Sequence, residues 1–198
     1  MVTDSNSKGQ LQLEGSDSEA ILFRVEGNTV EKVRVFSFGC PLEAGGLPFI
    51  WLTGVPAAGS LAYLHGLVEA DGTRHLTDGA IFAISQNEVP DALELLIRMA
   101  KADASSHVRS QALFWLAQKA GQRASSTITN AIENDPDTEV KRQAVFALSQ
   151  LPQDEGIPKL IEVARTQRNG EVRKQAFFWL GQSKDPRALA FIEDVLTK

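Results

Sequence analysis

The segments QALFWLAQ at residues 111–118, QAVFALSQ at 143–150 and QAFFWLGQ at 175–182 each set a run of apolar side chains between two glutamines. They recur at an interval of 32 residues, and the same interval relates Val108, Val140 and Val172. Six columns hold in register: the valines, Gln111/Gln143/Gln175, Ala112/Ala144/Ala176, Phe114/Phe146/Phe178, Leu116/Leu148/Leu180 and Gln118/Gln150/Gln182. One step back, LTDGAIFAISQ (76–86) places Leu76, Ala80, Phe82, Ile84 and Gln86 in these columns as a degenerate fourth copy. Self-similarity at a period of this length is the signature of a stacked repeat architecture.

The period within each copy is helical. Val108, Ala112, Trp115 and Leu116 stand at i, i+4, i+7 and i+8 and share one face, with a small alanine where a neighbouring helix must come close. The intervening segments align too, as Leu96/Ile128/Leu160/Ile192 and Met99/Ala131/Val163/Val195, with Pro90, Pro136, Pro152, Pro158 and Pro186 in or near the turns. Each unit is therefore read as two helices. One pair cannot bury its apolar face alone, so pairs must stack. The expected fold is mainly α, a solenoid of four to five antiparallel helix pairs over 57–198 in one right-handed array.

The N-terminal part reads differently. Residues 1–18 are polar and are expected to be flexible. Residues 19–56 are expected to form a β-rich cap: Ile21–Glu26 and Val30–Ser37 alternate as strands around EGNT, which supplies the Gly and Asn of a tight hairpin. LPFIWL (47–52) reads as a third strand. Leu61, Leu64, Leu67 and Val68 then mark a first helix over 57–69. The sheet is expected to cover the end of the stack, with Phe36, Phe38, Phe49 or Trp51 against that helix, because terminal repeats need a polar outer face.

Composition bounds the function. The chain has 198 residues, a formal net charge of −5 and one cysteine, Cys40. Residues 1–70 hold four Lys/Arg against eight Asp/Glu, and the remainder sixteen against seventeen, so no basic stripe of the kind nucleic acid requires is in view. No disulfide can form within the chain, cysteine-cluster zinc sites are excluded, and no apolar run is long enough to span a bilayer. No signal-peptide core is present in the sequence given.

Candidates for chemistry are few. Cys40, with Glu43 nearby, is a possible nucleophile, but no histidine stands at a recognisable partner spacing and free cysteines are commonly buried. His75 and His107 share a column with Glu139 and Glu171, which reads as a polar helix start rather than a metal ladder. Gly45–Gly46 and Gly54–Gly59 lack the pattern of a phosphate loop. No cofactor, metal or catalytic residue is expected.

EVKRQAVFALSQLP, EVRKQAFFWLGQSKDPRALAFIEDVL and HVRSQALFWLAQKAG resemble HEAT repeats of the short type also found in phycobilisome-lyase-type proteins. ILFRVEGNTVEKVRVFSFGCPLEAGGLPFIWLTGV (21–55) is similar to the segment preceding the repeats in a group of exported bacterial HEAT-repeat proteins with no assigned activity. The resemblance implies an exported or periplasmic setting and a chain that continues upstream. It also implies that Asp103, Arg109, Asp135, Lys141 and Arg173 form a salt-bridge ladder linking adjacent repeats, and that the second helices line a concave face.

On that face Phe82, Phe114, Phe146 and Phe178 form a column framed by Gln111, Gln118, Gln143, Gln150, Gln175 and Gln182. Amides can pair with an extended peptide backbone and rings can hold its side chains. The competing reading packs the phenylalanines between adjacent helices, since Leu113, Val145 and Phe177 make the other flank apolar as well. The expected function is a non-enzymatic scaffold that binds a protein or peptide. The alternatives are a lyase-like or small-molecule-binding protein and a purely architectural subdomain.

Overall fold

A computed structural model of the chain describes residues 10–11, 19–39, 42–70 and 72–197. It divides into two compact units, Met1–Val89 and Pro90–Lys198.

In the first unit, β1 (Gln10–Leu11) pairs with β4 (Leu42–Glu43), and β2 (Glu19–Glu26) pairs antiparallel with β3 (Thr29–Ser37). The hairpin turns through Gly27 and Asn28, with Gly27 at φ 61°, a conformation that costs a residue without Cβ nothing. Two helices follow, α1 (Ala57–Glu69) and α2 (Arg74–Gln86). Helix α1 buries Leu61, Leu64 and Val68, the face expected from their spacing. Phe23 of β2 meets Tyr63 of α1 edge to face at 5.6 Å, while Phe38 and Phe49 both contact Trp51.

Strand β3 lies on α2. Val33 is fully buried, and a Cβ built on Gly79 would stand 2.6 Å from the Val33 carbonyl oxygen. Gly79 occupies the column that carries Gln111, Gln143 and Gln175 elsewhere. The first repeat thus gives up its glutamine where the hairpin backbone comes close.

The expected third strand is not there: residues 44–56 carry no strand. Pro48 has no N–H to donate to a ladder, and Gly45, Gly46 and Gly54 at positive φ bend the chain on both sides. Leu47, Ile50 and Leu52 are exposed there instead of packing. The apolar run that suggested a strand finds no partner strand and no face to bury.

The second unit contains α3 (Pro90–Ala102), α4 (Ser106–Ala120), α5 (Gln122–Asn134), α6 (Thr138–Ser149), α7 (Gln153–Thr166), α8 (Gly170–Gln182) and α9 (Pro186–Leu196). Along the chain α1–α2, α3–α4, α5–α6 and α7–α8 are four helix pairs, and α9 adds a further helix, as a helical-repeat solenoid of four to five pairs requires. Within the second unit the second helices pack on one another in the order α4, α6, α8, and first helices pack α3 on α5 and α7 on α9. No strand follows residue 75 among the described residues.

Each second helix opens on a capping side chain. Thr73 accepts from the Leu76 amide, Ser105 from Val108, Asp137 from Glu139 and Asn169 from Glu171 and Val172. These caps satisfy amides that have no partner within the helix. Pro90 and Pro186 start α3 and α9, where a missing N–H costs nothing. Pro158 departs from its expected place in a turn and lies inside α7. Ala80, Ala112, Ala144 and Ala176 are all fully buried.

Candidate functional site

On α4 the buried residues are Val108, Arg109, Ala112, Leu113, Leu116 and Ala117. At 100° per residue they fill about half the helix circumference. The complementary arc carries Gln111, Phe114, Trp115 and Gln118. Trp115, expected in the core beside Val108, is half-buried at its edge.

The same arc repeats on α6 and α8, and its rings touch. Phe114 stacks on Phe146 with centroids 6.0 Å apart and planes within 10°. Phe146 reaches Trp179 at 5.0 Å. Trp115 and Trp179 sit edge-on to Phe114 and Phe178, at 4.9 and 5.0 Å. A continuous row of five rings therefore crosses α4, α6 and α8. Phe114 and Phe146 are half-buried by it, while Phe178 remains 53% exposed. Ala147, fully buried, stands where the neighbouring repeats carry Trp115 and Trp179.

Gln118, Gln143, Gln150 and Gln182 are exposed along the row, and Gln111 and Gln175 are half-buried. Gln118 Nε2 donates to Gln150 Oε1 at 3.4 Å, a long bond between adjacent repeats. Gln150 Nε2 donates to Ser149 Oγ at 3.1 Å and Gln143 Nε2 to Glu139 Oε1 at 3.2 Å. In the first unit Phe82 is half-buried on α2, and Gln86 Nε2 donates to Ser85 Oγ at 3.0 Å.

The column of basic residues does several jobs. Arg109 is buried and grips Asp135 with two bonds, Nε to Oδ2 at 2.7 Å and Nη2 to Oδ1 at 2.9 Å. Its Nη1 donates to the backbone carbonyls of Asp103 and Ala104, so it joins the turn before α4 to the turn after α5. Asp103 uses its carboxylate on the Ser105 amide rather than on Arg109. Lys141 Nζ donates to the Glu133 carbonyl, and Arg173 to those of Gln167 and Arg168. The repeat after Asp135 has Gln167 in its place, whose Nε2 crosses to the Ile132 carbonyl. The hydrogen bonds it donates to the Asp135 carboxylate hold the Arg109 guanidinium above its ordinary range. Burial alone would push the Asp135 carboxyl up, but the Arg109 hydrogen bonds and the Asp137 amide together bring it below the usual range.

A cavity of about 360 Å³ opens beside the aromatic row, between α6, α7 and α8. Leu151, Ile157, Leu160 and Trp179 line it with apolar surface, and Gln150, Gln182 and Lys184 stand among its polar groups. Gly156 brings α7 against α6: a Cβ there would lie 2.5 Å from the Leu148 carbonyl oxygen. Trp179 Nε1 is shielded from solvent and has no acceptor. A buried donor left in that state costs about 1–3 kcal/mol.

No three His, Cys, Asp or Glu side chains converge to hold a metal ion among the described residues. His75 is exposed, and Cys40 lies outside the described residues. No described helix is long and apolar enough to cross a membrane.

Residues 125–198, from α5 to the end of the chain, match the family model for HEAT repeats. That match supports a HEAT-repeat protein. No curated protein matches the chain.

The sequence pattern missed the tryptophans. The helical period sets Trp115 and Trp179 on the core face together with Ala147, but only Ala147 is buried there; both tryptophans are half-buried members of the aromatic row, because the arc beside the core has room for a ring that the core face has not.

Proposed function

We propose that the chain is a non-enzymatic scaffold that binds a protein partner as an extended peptide along α4, α6 and α8. The observation that carries this reading is the aromatic row itself. Five rings in sequence contact present half-exposed faces, and exposed glutamines run beside them at the repeat interval. Rings of this kind supply large contact area at small conformational cost, and each amide can both donate to and accept from a peptide backbone. HEAT repeats generally serve as interaction scaffolds, which agrees with the match over residues 125–198.

The test is selection of peptides from a random display library, followed by affinity measurement on Phe178→Ala and Gln118→Ala/Gln150→Ala. Phe178 is exposed, so its loss leaves the fold in place while removing a contact surface. Selected peptides should bind Phe178→Ala with a loss of more than about 1 kcal/mol, as anchor residues show. If no peptide is enriched, or if enriched peptides bind both variants as well as the parent, the reading fails.

A further inference from the structure

The cavity between α6, α7 and α8 is chemically one-sided. Its floor is aliphatic, formed by Leu151, Ile157 and Leu160. Its polar lining is neutral or positive: Gln150, Gln153, Gln182, Ser183 and Lys184. No carboxylate lines it, and Asp154 and Glu155, the acidic pair in the first turn of α7, lie outside the lining.

Two donors in this lining lack partners among the described residues. Trp179 Nε1 has no acceptor. Lys184 is exposed and makes no ion pair or hydrogen bond among the described residues, whereas the neighbouring Arg187 uses its Nε and Nη2. Arg187 Nη2 donates to the Gln153 carbonyl at 3.0 Å and to Asp185 Oδ2 at 2.6 Å. The turn that carries Ser183 and Lys184 is thereby tied to the start of α7, so the rim is held in place.

An aliphatic floor beside one shielded donor without an acceptor and one exposed, unpaired ammonium suits a ligand that ends in an acceptor. We propose that the cavity receives the free C-terminal carboxylate of a peptide whose last side chain is aliphatic. The carboxylate meets the Lys184 ammonium and the glutamine amides, with the Trp179 N–H as the next donor in the wall, and the terminal side chain rests on Leu151, Ile157 and Leu160. A cavity near the lower end of the ~300–1,000 Å³ range of ligand sites suits one or two terminal residues, with the preceding peptide leaving along the aromatic row. The inference rests on the peptide-binding reading above and adds direction to it: the peptide ends at α8.

The test begins with a display library presenting free C-termini, and the most enriched sequence is synthesised as the free acid and as the C-terminal amide. Binding of both forms is measured by titration calorimetry on the full chain. The free acid should bind at least about tenfold tighter than the amide, the loss expected when a hydrogen-bonded charge is removed. Lys184→Met should abolish most of that difference, and Trp179→Phe, which keeps a ring but removes the N–H, should reduce it. Hexanoate, which has the carboxylate and an aliphatic chain but no peptide, should bind far more weakly. Equal binding of acid and amide, an acid preference retained in Lys184→Met, or hexanoate binding as tightly as the peptide would each overturn the assignment. If both peptide forms bind equally and both are lost in Phe178→Ala, the scaffold reading stands and only the carboxylate site fails; if neither form binds, both readings fail.

Discussion

Replacing Phe146 by alanine separates packing from recognition within the aromatic row. Phe146 is the central ring, stacked on Phe114 at 6.0 Å and tilted on Trp179 at 5.0 Å. A fully buried Phe→Ala change costs roughly 3–5 kcal/mol. Phe146 is only half-buried, so the transfer and cavity share falls to about two-thirds of that, near 2–3 kcal/mol, and includes two ring pairs worth about 0.5–1.5 kcal/mol each. Phe178 touches one ring and is 53% exposed; its alanine variant should cost about 1 kcal/mol or less. For a chain of this length about 2–3 kcal/mol lowers Tm by roughly 4–12 °C. Urea unfolding followed by tryptophan emission gives the difference directly, since Trp179 lies against the mutated ring. Phe146→Leu, which keeps most of the volume, should recover more than half of the loss. The reasoning is refuted if Phe146→Ala costs under about 0.5 kcal/mol, or if Phe178→Ala costs as much as Phe146→Ala.

Asp135→Ala leaves the buried Arg109 guanidinium without its counter-charge and should cost about 3–5 kcal/mol, whereas Arg109→Leu/Asp135→Leu should recover part of it, as measured by denaturant unfolding. Gly79→Ala should destabilise despite alanine's better helix propensity, because its Cβ would meet the Val33 carbonyl at 2.6 Å, while Gly181→Ala, with nothing within 4 Å, should stabilise by up to about 1 kcal/mol; the same melt decides both. The hydrogen bond from Arg187 lowers the Asp185 carboxyl from 3.8 to about 2, and Asp135 is lowered as well. Both carboxyls bind protons more weakly folded than unfolded. The Asp185 contribution is therefore complete above about pH 4 and is lost as pH falls toward 2, the Asp135 contribution is likewise lost on acidification, and Asp185→Asn should flatten that acid limb in a pH series of melts.

The period made the helices legible because each repeat solves the same burial problem. Val108, Val140 and Val172 must face the core, so their column cannot drift, and the caps Ser105, Asp137 and Asn169 hold the same interval because each second helix begins at the same point of the stack. What the period hides is what differs between repeats. Gly79 replaces a glutamine because β3 lies against α2, and nothing in a lone glycine announces the strand carbonyl 2.6 Å from its missing Cβ. Residues 47–52 are a short apolar run of strand length, yet burial decides strands, and Pro48 with flanking glycines leaves Leu52 72% exposed. The ionic column shows the same limit. Arg109 finds Asp135 across 26 residues, but Lys141 ends on the Glu133 carbonyl, because Gln167 stands where the next carboxylate would have been. A column of like residues fixes where side chains start; the partner each one reaches depends on the single position that the neighbouring repeat has changed. The cavity arises in this way. Trp179 restores a bulky ring opposite Phe146 after Ala147 has removed one, Gly156 lets α7 close on α6, and the turn to α9 places Lys184 beside them. The candidate recognition chemistry therefore lies where the repeat is broken, and the regular columns supply the rigid frame that holds it.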